Sequence, residues 1–272
     1  MKNLIIIIFT SVIFWSCDKA VILDLKQTES KIVIEGLVTN RSNGQYVKLT
    51  RTADFYGSGK TPRITNALVS VKDDLNNNYV FVHNPDSAGY YFPQTPFVGE
   101  IGRTYHLTVE VDGKIFEAED KLFSVTSIDS LTYKIDPDEK KNPKKKEKFY
   151  EVLVFAKEPK ETKDYYLFKF YRNDSIQYDN ATDIYISDDD LLGENIDGVQ
   201  IASHYGLGDS VKVEAYSLTR NGFLFYSDLQ TLLTNDGGLF GPPPANCRTN
   251  VTNGAIGFFQ VSALNTKARK LE

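Results

Sequence analysis

The amino-acid sequence predicts a mainly all-β protein with two successive β-rich domains and one α-helix. Many short runs alternate between apolar and polar residues, as half-buried strands do. Turn-forming pairs such as Asn43-Gly44 and Asp112-Gly113 separate these runs, and helical spacing is convincing in a single segment. With 272 residues, 41% of them hydrophobic and 12% aromatic, the chain is long enough for a sizeable core.

The first 16 residues have the pattern of a secretory signal peptide. A cation, Lys2, precedes an apolar run from Leu4 to Trp15. A helix of about 12 residues is roughly 18 Å long, whereas the hydrocarbon of a bilayer is roughly 30 Å thick. We therefore expect residues 1–16 to be a signal and not a membrane span.

Cys17 is the expected lipid attachment site. Ser16 directly before Cys17 resembles the lipobox of bacterial lipoproteins, in which the thiol is acylated and the chain is cut before it. Phe14 and Trp15 depart from the lipobox consensus, so a plain signal peptide with an incidental cysteine is the alternative. Residues 17–30 would then be a lipidated cysteine and a polar tether. The only other cysteine is Cys247, so acylation would leave no intrachain disulfide.

Residues 31–122 are predicted to form the first domain. Six strands are predicted: Lys31–Thr39, Gln45–Thr52, Asn66–Asp73, Asn78–His83, Thr104–Val111 and Lys114–Asp120. Asp112-Gly113 lies between two alternating runs, so we expect a tight hairpin there. This density of short strands is typical of an immunoglobulin-like or carboxypeptidase-regulatory-like β-sandwich.

Residues 123–272 are predicted to form the second, β-rich domain. Its strands are Ile128–Ile135, Phe149–Lys157, Asp164–Asn173, Thr182–Ser187, Asp209–Thr219 and Gly254–Ala263. The charged segment 136–148 is predicted to be an exposed loop, with binding of anionic lipid or an acidic partner as the alternative. Phe225, Leu229, Leu232 and Leu233 fall at helical spacing, which predicts a helix over about 221–235.

The sequence contains no recognisable catalytic motif, so we expect a non-enzymatic protein. Its net charge of −5 lacks the basic footprint of nucleic-acid binding. His83, His106 and His204 are too far apart in the sequence for metal-ligand spacing, and no G-x-S-x-G is present. Cys247 has no nearby histidine in sequence, so a thiol catalyst would need a partner supplied by the fold.

The densest carboxylate cluster lies at Ser187–Gly198. Asp188, Asp190, Glu194 and Asp197 are candidates for a calcium loop, although the EF-hand register fails because Leu192 and Val199 stand at required ligand positions. The alternative is an acidic surface loop. No other cofactor is expected. The Tyr-rich strand DYYLFKFY could line a sugar- or peptide-binding face, or it could simply fill a core.

Several segments, in their order along the chain, resemble a known family. They include IVIEGLVTN, NALVSVKDDLNNNYVF, GRTYHLTVEV, DYYLFKFYRN, FYSDLQTLL and PPPANCRTNVTNGAIGFFQVSAL. The chain is similar to the Gram-negative envelope lipoproteins grouped as domain of unknown function 4249, over nearly its whole mature length. The most specific segments are the two ends, IVIEG-L-V and NVTNGAIGFF. Cys247 departs from the family pattern, in which an aliphatic residue is common.

The resemblance implies a lipid-anchored outer-membrane protein and brings no catalytic residues with it. Members are commonly encoded beside TonB-dependent transporters, so it implies a binding or accessory subunit of such a β-barrel protein. The alternatives are a stand-alone glycan- or peptide-binding surface module and a calcium-stabilised adhesin. Four serines, Ser87, Ser130, Ser175 and Ser210, also fit an Asp-Ser-aliphatic pattern that resembles the O-glycosylation signal of such envelopes. Ordinary turn chemistry explains the same Asp-Ser pairs.

Overall fold

The structure is a computed structural model and describes residues 30–53, 61–141, 148–157, 163–180, 182–188, 195–235 and 246–272. The first nine strands are β1 (Ile32–Thr39), β2 (Tyr46–Arg51), β3 (Leu68–Asp73), β4 (Asn78–His83), β5 (Tyr90–Pro93), β6 (Thr104–Val111), β7 (Lys114–Lys121), β8 (Ile128–Ile135) and β9 (Tyr150–Lys157). They are followed by β10 (Tyr165–Arg172), β11 (Ser175–Gln177), β12 (Tyr185–Asp188), β13 (Asn195–Gln200), β14 (Ser210–Leu218), β15 (Ile256–Ser262) and β16 (Leu264–Lys270). The helices are α1 (Pro137–Lys140) and α2 (Arg220–Thr234).

Eight strands form the first sheet, in the order β15-β1-β2-β5-β4-β3-β6-β7. Every neighbouring pair is antiparallel except β1 and β15, which run parallel. The β6–β7 hairpin turns through Asp112 and Gly113, with φ values of 53° and 69°. Positive φ at both central residues is the geometry that two-residue hairpins favour, so the predicted tight turn is confirmed.

The parallel pair β1–β15 joins the two ends of the described chain. Ile34 lies opposite Gly257, and Gly36 lies opposite Phe259. A Cβ atom at Gly36 would come within 2.6 Å of the Phe259 ring, so the ring occupies the space that a side chain would need. The segments most specific to the family resemblance are therefore direct neighbours in the fold.

The first sheet curves until its last strand, β7, reaches the segment that leads into β15. The amide of Thr252 donates to the Glu117 carbonyl at 2.8 Å, and Asn250 Nδ2 donates to the Glu119 carbonyl at 2.9 Å. The amide of Val261, within β15, donates to Asp120 Oδ2 at 2.8 Å. The curved sheet encloses an apolar core that includes Ile34, Val38, Val47, Leu49, Val71, Leu107, Val109, Phe259 and Val261.

The remaining strands form two sheets. The larger has the order β11-β10-β14-β16, with β12 also paired to β10, and the smaller has the order β13-β9-β8. A second apolar core combines residues of the smaller sheet with residues of the larger one. It includes Leu131, Val152, Val154, Ala156, Phe170, Val211, Val213 and Ala215.

Helix α2 packs where the first sheet meets the five-stranded sheet. Thr219 is its N-cap and accepts a hydrogen bond from the Gly222 amide at 3.2 Å. Phe225 stacks on Phe258 of β15, with 5.0 Å between ring centroids. A third, smaller apolar cluster at this junction is built around Leu37, Leu167, Tyr216 and Leu218.

The predicted mainly β class with one full-length helix is confirmed. Strands β4, β6 and β8 have the predicted bounds, and α2 is shifted by one residue. Leu232 and Leu233, predicted on the apolar face of α2, are instead exposed. The immunoglobulin-like arrangement and the division at residue 122 stay predictions. Strand β15, from the segment assigned to the second domain, lies in the first sheet.

Four strands, β5, β11, β13 and β16, were absent from the prediction. Strand β13 overlaps the segment Ser187–Gly198, for which a calcium loop and an acidic surface loop were the alternatives. Ile196 of this strand is buried in the second core, and β13 pairs with β9. Strand β11 has three residues and pairs antiparallel with β10. The two strands are joined by a turn in which Asn173 and Asp174 have φ values of 49° and 64°. Such positive values fit a two-residue hairpin turn.

The charged segment 136–148, expected as a loop, contains the short helix α1. Asp136 is its N-cap and accepts a hydrogen bond from the Asp138 amide at 2.7 Å. Pro137 occupies the first helical position, which suits a residue without an amide hydrogen. Residues 142–147 lie outside the described residues. Neither described helix is both long and apolar enough to cross a membrane.

Candidate binding site: an aromatic crevice around Lys169

A crevice of about 160 Å³ lies where β1, β2, β15, β10, β14 and α2 meet. We refer to it as the Lys169 crevice. It is lined by Glu35, Gly36, Leu37, Tyr46, Lys169, Tyr216, Phe225, Tyr226, Leu229, Phe258 and Gln260. Aromatic side chains from four different elements contribute to the wall, so the site exists only in the folded chain.

Strand alternation places Lys169 in this crevice. Within β10, Phe168 and Phe170 point toward the second core, so Lys169 between them points to the opposite face of the sheet. On that face Lys169 lies directly opposite Glu214 of β14. The signal in the sequence was a single lysine inside the aromatic run YLFKFY, and we did not predict a site there.

The carboxylates near Lys169 have other partners. Glu214 Oε2 accepts hydrogen bonds from Tyr171 Oη at 3.0 Å and Tyr216 Oη at 2.9 Å, and Glu214 Oε1 lies 3.1 Å from Lys212 Nζ. Glu35 Oε1 lies 2.7 Å from Lys48 Nζ. Among the described residues, no carboxylate lies within 4.0 Å of Lys169 Nζ, although Glu214 contributes a favourable longer-range field.

The Tyr216 ring is the group that Lys169 faces. Lys169 Nζ lies 4.8 Å from the ring centroid, within the range of a cation–π contact. Loss of solvation lowers the pKa of Lys169, and the Glu214 charge only partly offsets that effect. The ammonium group therefore carries a desolvation cost that no ion pair within the described residues removes.

The phenols of the crevice are neutral at physiological pH. Burial, together with the charge of Glu35, raises the pKa of Tyr46 to about 12. Burial also raises the pKa of Tyr226, whose Oη donates to Gln260 Oε1 at 2.6 Å. The crevice thus presents one cation without an ion pair among the described residues, a carboxylate (Glu35) paired with Lys48, neutral hydroxyl groups and aromatic faces. This combination suits an anionic group attached to apolar neighbours.

Aromatic side chains continue out of the crevice across the outer face of the first sheet. The Tyr46 ring lies 5.7 Å from the Tyr90 ring, and Tyr90 stacks with Phe92 at 6.1 Å. Phe92 of β5 lies opposite Val82 of β4, and both side chains are exposed. We call Tyr46, Tyr90, Phe92, Val82 and Val80 the aromatic strip.

A larger cavity of about 750 Å³ lies between β10, β12 and the residues that follow β13. Several of its polar groups have partners within the chain. Asp179 Oδ1 accepts from the Ser203 amide at 2.8 Å, and Gln230 Nε2 donates to the Ile184 carbonyl at 3.3 Å. It offers less specific chemistry than the Lys169 crevice for that reason.

The three histidines lie apart from one another, but two of them have acidic partners. His204 Nε2 lies 2.8 Å from Asp136 Oδ2, and His106 Nδ1 lies 3.4 Å from Glu119 Oε2. His106 is on the exposed face of β6, as its position in the alternating pattern predicted. His83 Nε2 accepts from the Gly89 amide at 3.3 Å. The expectation that the protein is not an enzyme stays a prediction.

The calcium candidates are only partly within the described residues. Asp188 ends β12, Asp197 lies in β13, and Asp190 and Glu194 are outside the described part. The described residues contain no group of three or more histidine, cysteine or acidic side chains placed to hold a metal. The calcium loop therefore stays a prediction.

The remaining predicted positions are spread over the chain. Cys17 lies outside the described residues. The serines of the four Asp-Ser pairs lie in a turn (Ser87) or in strands β8, β11 and β14 (Ser130, Ser175 and Ser210), and all except Ser130 are exposed.

Burial and the nearby Asp228 charge raise the pKa of the Cys247 thiol, which disfavours the reactive thiolate.

The sequence was compared with curated proteins and with models of protein families. The comparison with curated proteins gave no match. A family model described as Domain of unknown function (DUF4249) matches residues 18–268. The match includes both strands of the β1–β15 pair and every residue that lines the Lys169 crevice. The chain therefore belongs to the domain of unknown function 4249 family.

Proposed function

We propose that the chain is a non-enzymatic lipoprotein of the outer membrane and a binding or accessory subunit of a TonB-dependent transporter. Two observations support the localisation as a lipoprotein. A signal-like segment precedes Cys17, and the family match begins at the next residue, Asp18. The binding role is carried by the Lys169 crevice, where an ammonium group lacks a close carboxylate among the described residues.

Acylation at Cys17 would hold the protein at the membrane. Each buried methylene contributes about 0.8 kcal/mol, so more than one acyl chain is needed for stable anchoring. The polar residues between Asp18 and Ser30 would connect the anchor to the first strand. The crevice and the aromatic strip would then be presented to a membrane partner.

The anchor is tested by Cys17→Ser in the full-length protein. We expect the variant to lack lipid by mass spectrometry and to leave the membrane fraction, whereas Cys247→Ser remains with the membranes. Cys247→Ser is the matched control because it removes the other cysteine of the chain. Membrane retention of a processed Cys17→Ser protein would contradict the lipid anchor.

The accessory role is tested by purification of the full-length protein from membranes in mild detergent. We expect an outer-membrane transporter to co-purify in stoichiometric amount, as identified by mass spectrometry. The Cys17→Ser variant, purified from the same cells, is a control for association that needs the shared membrane. If the wild-type lipoprotein elutes alone from membranes that contain the transporter, the accessory role is wrong.

A stand-alone glycan- or peptide-binding module is the second candidate function. The aromatic strip favours it, because exposed rings on a rigid sheet can contact a ligand directly. The same purification separates the two proposals. Ligand binding by a protein that recruits no transporter would support the module.

A further inference from the structure

We propose that the Lys169 crevice receives an acidic side chain of a partner polypeptide, whose neighbouring apolar side chains lie along the aromatic strip. The inference deepens the proposed binding role and rests on it. The bound segment presents a carboxylate followed by apolar residues in an extended chain.

One of the three lysines around the crevice has no ion pair among the described residues. Lys48, Lys169 and Lys212 stand near two carboxylates, Glu35 and Glu214. Lys48 and Lys212 each lie within 3.1 Å of one of these carboxylates. Lys169 is the member of the group that lacks such a partner among the described residues, so it is the residue that an incoming carboxylate would meet.

The size of the crevice selects a side chain and not a whole solute. A volume of about 160 Å³ equals that of about five liquid waters. Pockets for complete small ligands are usually about 300–1,000 Å³. A carboxylate at the end of a short side chain fits this space, and the rest of the partner must lie outside it.

The aromatic strip would contact the part of the partner that lies outside the crevice. From β2 through β5 to β4 the strip crosses two strand spacings, about 10 Å. An extended peptide covers that distance in about three residues. Val80 and Val82 are 47% and 46% exposed, so the far end of the strip is aliphatic.

The mixture of aromatic and aliphatic side chains favours a polypeptide over a glycan. Sugars are recognised by flat ring faces with polar groups beside them, whereas Phe92, Val82 and Val80 offer an apolar surface. A protein segment with an acidic residue and apolar residues at alternate positions would match both parts at once.

The test uses the full-length protein in mild detergent and a defined pentapeptide, acetyl-Glu-Ser-Val-Ser-Phe-amide. Binding is measured by ligand-observed NMR titration, with the five residues in reverse order as a second probe because the crevice does not fix the chain direction. The matched peptide has Gln in place of Glu. We expect at least one order of the Glu peptide to bind about tenfold more tightly than its Gln counterpart, because only Glu forms the ion pair.

Variants assign that preference to named residues. Lys169→Met should remove the preference for Glu, while Lys72→Met, on the exposed face of β3, should preserve it. Phe92→Ser should weaken the Glu and Gln peptides by the same factor, since it changes the strip and not the cation. Absence of peptide binding, equal binding of Glu and Gln peptides, or an unchanged preference in Lys169→Met would each overturn the inference.

Failure of this inference is distinguishable from failure of the proposed function. If Lys169→Met still co-purifies with a transporter at the wild-type level, the accessory role stands and the crevice is not the contact. If wild-type protein recruits no transporter but discriminates the Glu peptide, the crevice assignment stands and the accessory role fails.

Discussion

Gly257 of β15 lies directly opposite Ile34 of β1, in the parallel pair that joins the two ends of the fold. Its φ of 106° is a conformation that residues with a side chain rarely adopt. A Cβ atom at Gly257 would also overlap the backbone carbonyl of Ile34. The pairing of the first and last sheet strands therefore depends on a glycine at this position.

We predict that Gly257→Ala lowers the free energy of unfolding by about 2–4 kcal/mol, because strain and a backbone clash act together. The measurement is urea unfolding followed by circular dichroism. Gly254→Ala is the matched control, since Gly254 has a φ of 74° with no atom within 4 Å of the added Cβ, and about 1 kcal/mol is expected there. Equal losses in the two variants would show that the clash with Ile34 is unimportant.

Asp120 makes stability depend on pH. Burial raises its pKa to about 7, although the Val261 amide and the Thr219 hydroxyl donate to it at 2.8 Å. The folded protein then binds more protons than the unfolded chain between about pH 4 and pH 7. The free energy of unfolding should therefore fall across this window, by up to about 4 kcal/mol, and level off above it.

The Asp120→Asn variant keeps an oxygen acceptor for Val261 and is neutral at every pH. We expect it to lose the decline between pH 4 and 7 and to exceed the wild type in stability at pH 7.5. Urea unfolding at several pH values gives both results, with Asp86→Asn, in an exposed turn, as the control. A variant with the wild-type pH profile would rule out Asp120 as the source.

Lys169→Met should stabilise the protein while it impairs binding. The methionine keeps an apolar stem and removes an ammonium group whose pKa is lowered by burial, so we expect a gain of about 1 kcal/mol at pH 7. Because the folded pKa is below that of the unfolded chain, wild-type stability should rise with pH between the two values. The Lys169→Met variant should lack that rise.

Thermal unfolding from pH 7 to pH 10 measures both effects, with Lys72→Met as the exposed-lysine control. Tyr46, which lines the same crevice, has a pKa of about 12 and stays largely neutral throughout this range. A loss of stability in Lys169→Met at pH 7 would indicate that the cation–π contact with Tyr216 outweighs desolvation.

If Ser187–Gly198 is an acidic surface segment and not a calcium loop, calcium should leave the melting temperature unchanged. Among the described residues, no group of three or more candidate ligands is assembled. A ligand that binds only the folded state at 100 times its Kd would stabilise it by about 2.7 kcal/mol. Differential scanning calorimetry with millimolar calcium and with EDTA measures this, and a rise of several degrees with calcium would favour the adhesin alternative.

The sequence by itself determined the local elements. Alternation along TYHLTVEV and IDSLTYKI predicted β6 and β8 with their bounds, and it also placed His106 on the exposed face. Helical spacing predicted α2 to within one residue. These features depend on contacts between residues close in sequence and on one apolar face, so a single chain carries enough information for them.

Only the tertiary structure decided which distant segments meet. Strands β13 and β16 have weak local patterns and exist because β9 and β14 supply their hydrogen-bond partners. The parallel pairing of β1 with β15 and the assembly of Lys169, Tyr46 and Tyr226 around one crevice join residues far apart in the chain. Strand periodicity specifies which face a side chain takes, but not the neighbour that covers that face.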